Sequence, residues 1–116
     1  MSILAIVQII AIGCTGLTAG IFLGHRAGVS FAMPRLRPSG FIQLQQLIHV
    51  HFQRMMPILT IAATGASLTW AILLRARWTM AEFWLVAVAT IAMVCVVVMT
   101  RVVNIPINAR LMTWSI

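Results

Sequence analysis

A chain of 116 residues that is 62% hydrophobic and 8% charged, with a mean hydropathy of +1.07, is too apolar for a soluble domain. At this length there is no room for a separate catalytic domain, so any site has to be built between membrane spans. The net charge of +7 comes from eight arginines set singly or in pairs beside apolar runs, against Glu82 as the one acid. That pattern suits anchoring among the phosphate headgroups of a lipid bilayer and excludes a nucleic-acid-binding face.

The first apolar run, residues 3–24, is long enough to cross a hydrocarbon core of about 30 Å at 1.5 Å per residue. It lacks a basic leader and is too long for a cleaved signal, so it reads as a retained span. Gly16, Gly20, Gly24 and Gly28 recur every four residues, with Gly13 near the same side. Such a stripe lets another backbone approach closely, either a second span of this chain or another membrane subunit. Cys14 and Cys95 fall inside spans, match no metal or redox spacing, and read as small packing residues.

Residues 25–40, HRAGVSFAMPRLRPSG, form the first connection. Pro34 and Pro38 are expected to break helix there, leaving an interfacial segment with Arg35 and Arg37 among phosphates. His25, beside Arg26, is a boundary residue on this reading.

The stretch from Phe41 to Pro57, FIQLQQLIHVHFQRMMP, concentrates the polar side chains of the protein and runs directly into the apolar residues 58–74. One helix over 41–74 is expected, with 55–74 as its membrane part. Steps of three or four from Gln46 give His49, Gln53, Met56, Thr60, Thr64 and Ser67, with Gln45 alongside, on one face. That face is the candidate functional surface, with Gln45, Gln46, Gln53 and Thr60 as candidate substrate-binding residues. His49 and His51 resemble a metal-binding pair, but two residues on a helix lie about 200° apart, so no metal site is assigned to them. Pro57 is expected to kink the helix by freeing the Gln53 carbonyl, and Arg54 to reach back to the headgroups.

Arg75–Thr79 makes a short turn, bracketed by Trp70, Trp78 and Trp84 as by an aromatic belt. Thr79-Met80-Ala81-Glu82 has the spacing of a capping box, which would make the sole acid structural and leave no carboxylate for acid–base or metal chemistry. The third span, residues 80–101, carries little that is polar beyond Thr90 and Cys95. In the interfacial tail, 104–116, Pro106 is expected to start a kink or a new turn. Three spans place Arg26, Arg35, Arg37, Arg101 and Arg110 on one side against Arg75 and Arg77 on the other. The count predicts an external N-terminus and a cytoplasmic C-terminus, and it brings the His49 region to the same face as Asn104–Arg110.

Asn104-Ile105-Pro106-Ile107-Asn108-Ala109-Arg110-Leu111, followed by Trp114, resembles the N-x-P-x-N-x-x-L…W element of the anthrone-oxygenase-like family of small membrane proteins. Met33-Pro34 and the start of the second helix at Gln45 and Gln46 are similar too. The resemblance implies a four-helix membrane bundle, some members of which oxidise polycyclic anthrones to anthraquinones with dioxygen and without a conventional cofactor. It implies a site in which Asn104, Asn108 and Arg110 face His49, Gln45 and Gln46. His49 would take a proton from the substrate while the amides hold its oxygen. The family pattern continues into a fourth span, whereas this sequence ends at Ile116, so the expected fold is all-α, an incomplete four-helix bundle with three transmembrane helices.

Two functions of different class follow. One is an oxygenase-like enzyme acting on a flat apolar aromatic. The other is a non-catalytic accessory subunit, packed through its glycine stripe into a larger respiratory or photosynthetic type of membrane complex, in which His49 or His25 is a candidate axial ligand to a pigment.

Overall fold

The computed structural model describes residues 1–115, of which the helical share is 90% with no strand among the described residues. Three helices are long and apolar enough to cross a membrane: α1 (Ile3–Arg35), α2 (Pro38–Leu73) and α3 (Ala81–Leu111). The chain is an all-α integral membrane protein. Helices of this length run to about 50 Å at 1.5 Å per residue, in line with a longest dimension of 55 Å. A hydrocarbon core of about 30 Å covers only part of that, so the helices extend well beyond the membrane.

Local sequence explains where each helix starts and stops. Ser2 caps α1 by accepting a hydrogen bond from the Ala5 amide at 3.1 Å. The break between α1 and α2 is confined to Leu36 and Arg37, whose ψ angles of 154° and 152° are extended. Arg37 precedes Pro38, which disfavours helical backbone at Arg37 and is itself preorganised for a first helical position.

The expected interfacial connection after Gly24 is therefore not formed, because α1 continues through it to Arg35. A wide π-turn at His25–Val29 carries the helix on, with the Ser30 amide bonded back to the His25 carbonyl. Pro34 then falls in the last, 3₁₀ turn, where its missing N–H does least damage. The capping box at Thr79 is not formed either. A turn from the Arg77 carbonyl to the Met80 amide, 2.9 Å, makes Met80 the cap residue, and no side chain caps α3. Glu82 instead lies in the first turn, at the positive end of the helix dipole.

α2 is the central element and packs against both α1 and α3. Small residues line these contacts: Ala11 and Thr18 on α1, Ala63, Ser67 and Ala71 on α2, Thr90 on α3. They permit close backbone approach where lipid offers no hydrophobic drive for association. Ala63 is 0% and Ser67 4% exposed, whereas Ile58 on the opposite face is 71% exposed. Near the Arg75–Arg77 turn, Ala71, Leu74 and Val86 form a small core with Trp70 and Phe83 packed on it. Two of the buried hydroxyls are satisfied on their own helix, Thr18 donating to the Cys14 carbonyl at 2.8 Å and Thr90 to the Val86 carbonyl at 2.9 Å.

Each helix changes character at a similar height. Gln46 touches the residues that end α3, and Ser67 and Trp70 share a cavity with the middle of the first span. Counting along the helices from these contacts puts the π-turn at His25–Val29, the segment around Pro57 and a second π-turn at Thr100–Asn104 at one level. α2 remains continuous α-helix through Pro57. In α3 the π-turn, closed by the Ile105 amide on the Thr100 carbonyl, precedes Pro106 and lets the helix pass it without ending. Towards the Arg75–Arg77 turn the surface is apolar. On the other side lie the three histidines and Arg26, Arg35, Arg37, Arg54, Arg101 and Arg110.

Candidate functional site

The polar extension beyond this level is built from the end of α1, the start of α2 and the end of α3. Gln46 joins the last two: its Nε2 donates to the Leu111 carbonyl at 3.0 Å and to the Trp114 carbonyl at 2.9 Å. The Leu111 carbonyl, in the last turn of α3, also accepts from the Trp114 amide at 3.1 Å, and the Trp114 carbonyl lies just past the helix end. Gln46 thereby acts as a C-terminal clasp, and Oε1 is its remaining hydrogen-bonding atom. Leu111 is buried beneath the clasp.

The helix geometry separates the histidines as their spacing predicts. His49 is half-buried and His51 exposed. Of the other candidates on α2, Gln45 is half-buried and Gln53 exposed. Thr60 is half-buried, but its hydroxyl is engaged with the Met56 carbonyl at 2.8 Å and the Pro57 carbonyl at 3.3 Å. The Thr64 hydroxyl likewise donates to the Thr60 carbonyl at 2.7 Å. The lower stripe is thus polar in composition, while its threonine donors are spent on the backbone.

On α3, Asn108 is half-buried, whereas Asn104 and Arg110 are exposed. Asn104 lines a cleft of about 300 Å³ with Phe22 of α1 and Cys95, Val96, Met99 and Thr100 of α3. The cleft is mostly apolar and opens beside the π-turn. Sequence reasoning identified Asn104 but not Phe22 or Met99. The i, i+4 spacing of Thr100 and Asn104 hinted at a common face on α3, but nothing in the sequence tied that face to α1. Across from it on α1, Ser30 Oγ lies 3.3 Å from His25 Nδ1, and the Arg26 guanidinium sits 5.5 Å from the centroid of the Phe31 ring.

The glycine stripe lies outside the contacts between helices. Gly16, Gly20, Gly24 and Gly28 are exposed, and a Cβ built on any of them would meet nothing within 4 Å. Among the described residues no three of His, Cys, Asp and Glu gather into a group that could hold a metal ion.

A protein-family model described as anthrone oxygenase matches residues 45–115. The match begins one residue before the Gln46 clasp and takes in the remainder of α2 and all of α3, leaving Met33-Pro34 outside it. No curated protein and no solved structure matches the chain.

Proposed function

Since the chain belongs to the anthrone oxygenase family, we propose that it oxidises an apolar aromatic substrate of the anthrone type with dioxygen. The observation that carries this reading is the Gln46 clasp, which ties the helix turn bearing His49 to the last turn of α3, beside Asn108 and Arg110 and about two turns beyond Asn104. Anthrones carry a methylene acidified by two flanking rings and a carbonyl conjugated across them. His49 removes one methylene proton as general base. Asn104, Asn108 and Arg110 stabilise the enolate oxygen that develops on the far side of the ring system, and Gln45, Gln53 and the clasp amide border the substrate. The carbanion form reduces dioxygen and combines with it to a hydroperoxide. Loss of the second proton and cleavage of the O–O bond give the ketone and one water, so one methylene and one dioxygen are consumed per turnover. The half-buried positions of His49 and Asn108 suit groups that must meet an apolar substrate without leaving water altogether.

The arginine-rich end is assigned to the cytoplasm, with the N-terminus outside, because positive residues are retained on that side. Oxygen uptake by the purified protein with an anthrone tests the enzyme reading. Wild type consumes dioxygen and yields the quinone, and His49→Ala does not. Equal rates for the two end the role given to His49.

A second reading, an accessory subunit within a larger membrane assembly, is favoured by the open glycine stripe. Mass analysis after mild-detergent extraction separates the two readings. A chain that leaves the membrane alone and monodisperse argues against the subunit.

A further inference from the structure

Residues 3–25, 55–74 and 83–100 hold no arginine, lysine, aspartate or glutamate. At one end of the bundle each of these segments is bounded by an exposed arginine: Arg26 on α1, Arg54 on α2 and Arg101 on α3. At 1.5 Å per residue the second and third segments run to about 27–30 Å, close to the thickness of a hydrocarbon core. The three arginines share a level. The Gln46 clasp on Leu111 sets the antiparallel register of α2 and α3, and counting from it places Arg54 beside residue 103. Phe22 of α1 borders one cleft with Met99, Thr100 and Asn104 of α3, and Arg26 lies one turn beyond Phe22. Both Arg26 and Arg101 occupy the second position of a π-turn.

Nothing in the chain neutralises this level, because the only acid, Glu82, lies in the first turn of α3 at the opposite end. Arg26 rests near the Phe31 ring, 5.5 Å from its centroid, a contact that engages one face of the guanidinium and leaves its N–H edge free. Beyond the arginines the helices continue too far to stay in the membrane. From Arg54 back to Pro38, α2 covers about 24 Å. Holding all 36 residues of it within a core of about 30 Å would take a tilt of more than about 50°, outside the range of about 0–40° that spans adopt.

We propose that Arg26, Arg54 and Arg101 form a girdle that binds the phosphates of anionic phospholipids in one leaflet, and that the hydrocarbon ends at this girdle. A guanidinium keeps its charge and offers two parallel N–H donors to phosphate oxygens. Three positive charges at one height without a counter-charge favour a lipid that brings net negative charge over one that carries its own cation. His49 then stands about 7 Å outside the girdle and Gln46 about 12 Å, at and past the outer edge of the headgroups. A substrate of the reaction proposed above therefore reaches His49 from the membrane surface. The girdle itself does not depend on that reaction.

Spin labels on single cysteines, with Cys14 and Cys95 replaced by Ser, locate the boundary in nanodiscs of mixed phosphatidylcholine and phosphatidylglycerol. Leu47 and Ile107 lie outside the girdle, Ile61 and Val94 inside it, and all four are exposed. Labels on Leu47→Cys and Ile107→Cys are expected to collide mainly with a water-soluble nickel chelate, and labels on Ile61→Cys and Val94→Cys mainly with oxygen. Oxygen-dominated collisions at all four positions overturn the boundary. Native mass spectrometry of the chain released from the same bilayer identifies the bound lipid. Wild type is expected to retain phosphatidylglycerol over phosphatidylcholine. Each of Arg26→Gln, Arg54→Gln and Arg101→Gln lowers that preference by up to about fivefold, and the triple variant loses it. Arg35→Gln with Arg37→Gln, outside the girdle, leaves it unchanged. A preference that survives the triple variant, or falls as far in the Arg35 and Arg37 variant, overturns the assignment to these three arginines. Neither readout involves turnover, so failure of the girdle and failure of the oxidation are told apart.

Discussion

Replacing Gln46 by Met keeps the length of the side chain and removes both hydrogen bonds of the clasp, 3.0 Å to Leu111 and 2.9 Å to Trp114. Each such bond contributes about 1 kcal/mol net when its partner can be rehydrated. Trp114 is exposed and its carbonyl regains water readily, while the Leu111 carbonyl keeps its bond from the Trp114 amide at 3.1 Å and is not left unpaired. The loss is therefore about 1–2 kcal/mol, and it is local, because both hydrogen bonds of Gln46 go to the end of α3. A change of that size raises the open population of the last turn by roughly tenfold. Hydrogen exchange read by mass spectrometry in nanodiscs should show faster exchange over residues 108–114, with residues 81–99 unchanged. Gln46→Glu should act at least as strongly, since a carboxylate presents no donor to the two carbonyls. Unaltered protection of 108–114 in both variants would refute the clasp and separate the His49 helix turn from the Asn104–Arg110 element.

Other positions give sharper contrasts. Ala63 has no exposed surface, so Ala63→Leu should lower the stability of the helical bundle by about 1–3 kcal/mol in a steric-trap or denaturant assay, unless α2 is not the central helix. Gly20→Leu meets open space within this chain and should leave its own stability unchanged. If the stripe seats a partner helix, the same substitution should release the chain from any larger assembly on a native gel, whereas identical migration would leave the stripe facing lipid.

Much of the architecture was legible because a bilayer narrows the choices. Hydropathy alone gave three membrane-spanning helices, and the 3.6-residue repeat put Ser67, 4% exposed, on the inward stripe of α2. Breaks were harder to read. Pro34 and Pro38 look alike in sequence, yet only the second begins a new helix, because a π-turn upstream lets α1 run past Pro34. The same device carries α3 past Pro106. Local spacing also suggested a capping box that a preceding turn at Arg77–Met80 displaces. At the candidate site, the periodicity of α2 and the motif on α3 named the residues but not their roles. Gln46 reads as a substrate amide and folds as a clasp, a pairing across more than sixty residues of chain that no local pattern encodes.

The account depends above all on α2 turning its small and polar residues towards protein. Oxygen accessibility of spin labels, placed singly from residue 56 to 72 in a background with Cys14 and Cys95 replaced by Ser, measures this directly in nanodiscs. Minima at 63, 67 and 71 and maxima at 58, 61, 68 and 72 are predicted. Maxima at 63 and 67, or accessibility without a helical period, would contradict it.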